Sequence, residues 1–146
     1  MKRRETEWWD MWFLGLAKYV ATASKDPSTR VGAVIVDSDN RVVSIGYNGF
    51  PKGIKDDSRL ECRDQKYKIV THAEINSLLF AKTSVTGCSV YTYPFMPCPS
   101  CAGAIIQSGI KRVVSFSSDN PRWAEDFEVS NSMFNEAGVE FYEYQT

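Results

Sequence analysis

Residues 71–74 read Thr71-His72-Ala73-Glu74, and residues 97–101 read Pro97-Cys98-Pro99-Ser100-Cys101. His72 is the single histidine of the chain, and Glu74 follows it by two positions. One imidazole and two thiols make a possible three-ligand set for zinc that leaves the fourth position to water. A carboxylate beside such a metal can move protons. We take the rest of the chain as the scaffold and pocket around these residues.

The length of 146 residues predicts a single domain, residues 1–146, with enough chain to bury a core. Apolar residues make up 43% and charged residues 24%, both usual for a globular protein. The formal charge is −1, from 17 basic and 18 acidic residues. We therefore expect no broad basic surface for nucleic acid or an anionic membrane. A small anionic substrate needs only two or three donors and remains compatible with this balance.

The N-terminus and the cysteines predict a cytoplasmic protein. Lys2, Arg3 and Arg4 precede an apolar stretch, but acidic residues interrupt it, which argues against a signal peptide. No segment approaches the length of a membrane span. In such a chain, a Cys-x-x-Cys pair favours metal binding or redox chemistry over a disulfide framework.

Hydrophobic periodicity predicts elements in the order α-β-β-α-β-α-β-α-β. Two runs rich in β-branched residues, 31–36 and 41–47, flank a turn and predict an antiparallel hairpin. The other predicted elements are helices 6–24, 71–82, 101–108 and 125–136 and strands 85–93, 111–116 and 139–144. Alternating strands and helices after the hairpin favour an α/β fold, with a mixed sheet covered on both faces.

Two segments of the sequence each allow more than one interpretation. Residues 48–63 are polar and rich in turn formers, so they predict a long loop with a functional role or disorder. The first helix carries aromatic residues, including Trp8 and Trp12, at helical spacing. Such residues usually belong to a core or a subunit contact, and exposed tryptophans would indicate an oligomer interface.

The metal-site residues also allow plainer interpretations. Glu74 could complete a capping box with Thr71 at the start of a helix. Cys98 and Cys101 could form a thioredoxin-like redox pair, which needs no histidine upstream. A closed structural zinc site would require Cys62 or Cys88 as fourth ligand, and neither has a partner at ligand spacing. The order His-x-Glu followed by Pro-Cys-x-x-Cys is more specific, because it is the signature of zinc-dependent nucleobase deaminases.

Over nearly its whole length the chain resembles the cytidine deaminase superfamily, most closely the deoxycytidylate deaminases. The zinc motifs would fit several deaminases, whereas residues 46–53, Gly-Tyr-Asn-Gly-Phe-Pro-Lys-Gly, and Asn76 single out this branch. Further matching segments are residues 24–27, 31–33, 56–57 and 105–110. The resemblance implies a three-layer α-β-α fold with a mixed five-stranded sheet.

The resemblance also implies a site and a reaction. His72, Cys98 and Cys101 would bind one Zn2+ per chain, and Glu74 would shuttle protons. The implied reaction is hydrolysis of dCMP by zinc-activated water, giving dUMP for dTMP synthesis and ammonia. Residues implied in substrate binding are Asn48 for the sugar, Val31 and Ala33 for the base, Ser24, Lys25 and Arg122 for the phosphate, and in addition Ala73.

Regulation is implied as well. Relatives of this type are commonly homohexamers activated by dCTP and inhibited by dTTP, and an effector triphosphate would bring Mg2+. The residues implied in that control are Gly46, Tyr47, Asn48 and Gly49. A second zinc site, which some relatives build from extra histidines, is not expected with His72 alone.

Three rival functions remain at this point. The chain could deaminate free cytidine or guanine, or adenosine in tRNA, or it could be a non-catalytic module stabilised by zinc. A tRNA enzyme needs clustered lysines and arginines for phosphate contacts, which this chain lacks at its C-terminus.

Overall fold

The computed structural model describes residues 3–146 and contains a five-stranded sheet of order β2-β1-β3-β4-β5. The strands are β1 Gly32–Val36, β2 Val42–Tyr47, β3 Ser89–Tyr93, β4 Arg112–Phe116 and β5 Glu140–Tyr144. The helices are α1 Thr6–Ala21, α2 Arg63–Ile69, α3 Ala73–Leu79, α4 Pro99–Gln107 and α5 Ala124–Ala137, with a 3-10 turn at Ser58–Glu61.

Strand pairing brings the start of β1 and the ends of β2 and β3 to one edge of the sheet. β1 runs antiparallel to both β2 and β3, whereas β3, β4 and β5 are parallel. Gly32, at the start of β1, lies opposite Tyr47 on β2 and opposite Tyr93 on β3. The segment before β1 and the segments after β2 and β3 therefore meet at this edge. The predicted hairpin and mixed sheet are confirmed.

Alternating side chains on β1 divide the core into two clusters. Ala33 and Ile35 pack with α3, α4 and α5 on one face of the sheet. Val34 and Val36 pack with α1 on the other face, against Phe13 among other residues. A strand buried on both faces has no polar alternation, as its sequence shows. These layers confirm the predicted three-layer α-β-α fold.

Several predicted boundaries are wrong. The helix predicted over 71–82 spans only Ala73–Leu79, and the helix predicted from Cys101 begins at Pro99. The strand predicted over 85–93 begins at Ser89, because a turn precedes it with Gly87 at a φ of 78°. Helix α2 was not predicted, since a single buried residue gives it no apolar stripe.

Helix α1 is partly buried and partly open. Phe13 is 1% exposed, whereas Trp8 is 39% and Trp12 50% exposed, so the aromatic residues of this helix are not all core. The oligomer interface that exposed tryptophans would indicate stays a prediction. Among residues 3–146, no helix combines the length and the apolar character that crossing a bilayer demands.

A fully buried carboxylate, Asp10, fixes α1 to the sheet. It accepts two hydrogen bonds from Arg112, from Nη1 and Nη2, each at 2.7 Å. The Tyr91 and Tyr144 hydroxyls donate to it at 2.8 and 2.7 Å. Burial alone would raise the pKa of Asp10, but these hydrogen bonds outweigh it and hold the pKa below the ordinary 3.8. One side chain therefore links α1 to β3, β4 and β5.

We predict that Asp10→Asn lowers the free energy of unfolding by about 3 kcal/mol at pH 7, because it leaves Arg112 without its buried partner. Since the pKa of Asp10 is depressed in the folded state, its stabilisation is present above pH 3.8 and is lost as the pH falls through the folded pKa. The difference in the free energy of unfolding between wild type and variant should therefore decrease in acid, and urea unfolding at several pH values measures it. Asp39→Asn, at an exposed site, is the control; a variant as stable as this control would contradict the prediction.

Candidate metal centre and active site

The three candidate metal ligands come from the starts of two neighbouring helices. His72 is the N-cap of α3 and Cys98 the N-cap of α4, with Cys101 in the first turn of α4. Pro99 suits the position after Cys98, because the first helical residue needs no N–H donor. His72 Nδ1 lies 3.5 Å from Cys98 Sγ and 3.3 Å from Cys101 Sγ.

This donor set fits zinc. The three ligand atoms all lie within 4.8 Å of one another, and one histidine with two cysteines is a known catalytic zinc set. In the part of the chain that the structure describes, no other group of His, Cys, Asp or Glu side chains is placed to share a metal. Cys62 is exposed and Cys88 is buried elsewhere, so neither closes the site as a fourth ligand.

The cluster favours a thiolate even without a metal. A hydrogen bond from the Cys101 thiol, aided by His72, lowers the pKa of Cys98 to about 4 despite its burial. The pKa of Cys101 is raised, because it donates to Cys98 and is buried. The hydrogen bond to Cys98 raises the pKa of His72. Thiolate is the form of cysteine that binds metals, so the environment of Cys98 favours the ligand state.

Glu74 lies beside this cluster in the first turn of α3. It is 5% exposed, and burial raises its pKa to about 7. The capping-box interpretation is wrong: the N-cap is His72, with no side-chain capping bond, and the Thr71 backbone pairs instead with Gly49. A buried carboxyl with a pKa near neutrality suits general acid–base chemistry.

A cavity of about 120 Å³ opens in front of His72, Glu74 and Cys98. Its aromatic lining consists of Tyr67, Phe95, Trp123 and Phe127. Its other polar lining consists of Asp26, Thr29, Asn48 and Lys66. Aromatic walls with a few polar groups can hold a small planar ring and fix its orientation.

The predicted base and sugar contacts fall in different places. Val31, Asn48 and Ala73 line the cavity. Ala33 does not line it and is fully buried in the core between sheet and helices. The Asn48 amide is engaged within the wall, where its Oδ1 accepts from the Val31 N–H at 2.9 Å.

The predicted phosphate donors lie outside the cavity lining. Ser24 is buried and donates to the Asn48 carbonyl at 2.8 Å. The Lys25 side chain is 70% exposed and pairs with Asp56 at 2.7 Å. The Arg122 side chain reaches a lining residue, because its Nη2 donates to the hydroxyl of Tyr67 at 3.0 Å.

Sequence reasoning missed much of the lining. Lys66, Tyr67 and Val70 belong to the unpredicted α2 and the residue that ends it. Phe95 and Trp123 lie between predicted elements, where an aromatic residue carries no periodic signal, whereas Phe127 falls in the helix predicted over 125–136. The one available signal was the closeness of Phe95 and Met96 to the Cys-x-x-Cys pair in sequence.

Residues 46–49 hold the start of α3. A Cβ atom on Gly46 would lie 2.4 Å from the Ala73 carbonyl oxygen and 2.4 Å from the Ser77 nitrogen, so the helix backbone rests on the strand. The Asn76 side chain donates to the Tyr47 carbonyl at 2.8 Å. These contacts fix the helix that presents His72 and Glu74.

Comparisons with known proteins agree with this geometry. Residues 7–117 match the family described as cytidine and deoxycytidylate deaminase zinc-binding region. An Aliivibrio fischeri protein named "uncharacterized deaminase in luxG 3′ region" is 45% identical, with 90% of each chain covered. Human deoxycytidylate deaminase is 42% identical over 98% of this chain and 83% of its own length.

A solved structure has the same fold. It is the dCMP deaminase of cyanophage S-TIM5 in complex with dCMP and dUMP, with a TM-score of 0.74 at 22% identity. The match covers 99% of this chain and 100% of that chain.

We predict that Gly46→Ala lowers the free energy of unfolding by about 3 kcal/mol, the upper end for an overpacked site, because both obstructing atoms belong to backbone. Gly49→Ala is the matched control, since no atom lies within 4 Å of its added Cβ, and it should change stability by less than about 0.5 kcal/mol. Urea unfolding measures both values. Equal stability of the two variants would show that α3 does not depend on this contact.

Proposed function

The chain belongs to the cytidine and deoxycytidylate deaminase family, and from this premise we propose that it hydrolyses dCMP to dUMP and ammonia. The observation that carries the choice of substrate is the 42% identity with human deoxycytidylate deaminase over 98% of the chain. The convergence of one histidine, two cysteines and a buried glutamate on one cavity supports the chemistry.

The proposed reaction uses His72, Cys98 and Cys101 to hold zinc, and Glu74 to move protons. Bound zinc would supply a Lewis acid that brings the pKa of water close to neutrality. Glu74 takes one proton of the attacking water and delivers it to N3 of cytosine, and it then takes the second proton from the new C4 hydroxyl and delivers it to the leaving amine. The oxygen of water bonds to C4, the C4–N4 bond breaks, and ammonia leaves.

The cavity walls would orient the nucleotide for this attack. Phe95 and Phe127 pack against each other, with ring centroids 5.3 Å apart, and would form an aromatic wall that contacts the cytosine ring and excludes water from it. Val31 and Ala73 would contact the base, and Asn48 would lie beside the sugar.

The 5′-phosphate would lie at the cavity mouth near Arg122. Its guanidinium donates one hydrogen bond to Tyr67, a lining residue, and keeps other N–H groups for a phosphate oxygen. Lys25 supports this role less well, because Asp56 already pairs with it. Ser24 would act indirectly, by holding the Asn48 backbone.

We also propose a regulated homohexamer of single-domain chains in the cytoplasm, activated by dCTP and inhibited by dTTP bound with Mg2+. The contacts of Gly46 and Tyr47 with α3 support an effector role, because a ligand on residues 46–49 could move Glu74 through that helix. The exposed Trp8 and Trp12 support subunit contact.

We predict that Glu74→Gln keeps one zinc per chain and loses turnover of dCMP by more than the ~10²–10⁴-fold of general acid–base catalysis, since Glu74 serves several proton transfers. The amide preserves the shape of the side chain at its buried position. Metal analysis and steady-state kinetics of the purified protein provide the test, with the exposed Glu136→Gln as control. Turnover equal to that of wild type would contradict the role of Glu74, and a zinc-loaded wild type without any turnover would instead indicate a zinc-stabilised module without catalysis.

The nucleotide claim is tested by comparing dCMP with deoxycytidine. A charge-assisted contact between Arg122 and the phosphate should make kcat/KM for dCMP at least about tenfold higher than kcat/KM for deoxycytidine. Arg122→Gln should remove most of this preference for dCMP. Lys25→Gln should retain it, because Lys25 pairs with Asp56. Equal efficiency of wild type on both compounds would reject the nucleotide as substrate.

A further inference from the structure

Helix α2 covers part of the cavity with almost no apolar anchorage. Of its seven residues, Arg63–Ile69, only Lys66 is buried, at 3% exposure. Yet α2 contributes Tyr67 to the cavity lining, and Val70 lines it directly after the helix ends. An interaction other than hydrophobic packing must therefore hold Tyr67 and Val70, which we call the roof of the cavity, in position.

The anchor is an ion pair inside the wall. Lys66 Nζ lies 3.0 Å from Asp26 Oδ1, and the two side chains are only 4% and 7% exposed. The same oxygen of Asp26 accepts from the Ser28 and Thr29 N–H groups at 2.8 and 3.1 Å. A buried pair survives desolvation only when further hydrogen bonds satisfy its charges, and Asp26 has them.

Asp26 in turn belongs to a hydrogen-bonded group of residues that lines the cavity. Asn48 Nδ2 donates to the Thr29 carbonyl at 3.0 Å and lies 3.4 Å from Asp26 Oδ2. Asn48 Oδ1 accepts from Val31, so residues 26–31 and Asn48 form one hydrogen-bonded unit. Lys66 connects the roof to this unit across 40 residues of sequence.

We propose that Lys66 is a positioning residue, which pins α2 to Asp26 and so sets the gap between roof and wall that the substrate fills. The roof is Tyr67 and Val70, and the wall is Val31 and Asn48. Lys66 acts through Asp26 and does not contact the reacting atoms. The identity of the substrate, a pyrimidine nucleotide, rests on the proposed function, whereas the positioning role of Lys66 rests on the contacts alone.

The test replaces Lys66 by methionine, an unbranched side chain one atom shorter, which removes the charge. Lys68→Met on the same helix is the matched control, because Lys68 is exposed. In Lys66→Met we expect KM for dCMP to rise about tenfold or more, with kcat within about threefold, because the metal ligands and Glu74 are untouched. Zinc content should not change.

Two further readouts separate positioning from other roles. Hydrogen exchange of the ligand-free zinc protein should show faster exchange of α2 amides in Lys66→Met and not in Lys68→Met. Deoxycytidine should lose efficiency by the same factor as dCMP. A loss confined to dCMP would instead make Lys66 a ligand of the phosphate and would overturn the proposal.

The double variant Asp26→Asn/Lys66→Met covers the case in which an unpaired Asp26 prevents folding. It leaves no buried unpaired carboxylate, and it should show the same rise in KM and the same exchange of α2 as Lys66→Met alone. If the variants kept the wild-type KM and the wild-type hydrogen exchange of the α2 amides, the proposed role of Lys66 would be wrong. Absence of turnover in wild type would instead reject the proposed function, and the exchange measurement would still decide on Lys66.

Discussion

The site depends on one close contact, where α3 rests directly on strand β2 at Gly46. This contact fixes the start of α3, so that His72 caps the helix and Glu74 occupies its first turn. Helix α4 packs on the same face of the sheet and brings Cys98 and Cys101 to the same point. Helix starts carry free N–H groups and a positive dipole end, which favour a thiolate. The metal centre therefore follows from how two helices cover one sheet.

Three carboxylates are buried in this chain, and the partners of each determine whether its role is structural or chemical. Asp10 meets Arg112 and two tyrosine hydroxyls, and it fastens α1 to the sheet. Asp26 meets Lys66 and backbone N–H groups, and it fastens α2 to the cavity wall. Glu74 is buried with no ion-pair partner among residues 3–146, and burial raises its pKa to about 7. A pKa near neutrality suits Glu74 to exchange protons with water and substrate.

Sequence patterns predicted the elements that bury apolar side chains and missed those that do not. The β1–β2 hairpin was evident from two β-branched runs, and motif spacing brought His72, Cys98 and Cys101 into one hypothesis. Helix α2 escaped because its one buried side chain is charged, so it lacks an apolar stripe. The capping box failed because tertiary pairing with Gly49 takes the Thr71 backbone out of the helix start. Contacts between distant segments, such as Lys66 with Asp26, leave no local pattern to read.

We propose that this cavity catalyses hydrolysis at C4 of a cytosine nucleotide. The most direct measurement follows dCMP incubated with the zinc-loaded protein in 18O-enriched water, with the nucleotide product analysed by mass spectrometry and ammonia measured in parallel. We expect dUMP that carries one solvent oxygen at C4, and one ammonia for each dUMP formed. Folded, zinc-loaded protein that forms no dUMP, or forms it without solvent oxygen, would contradict it.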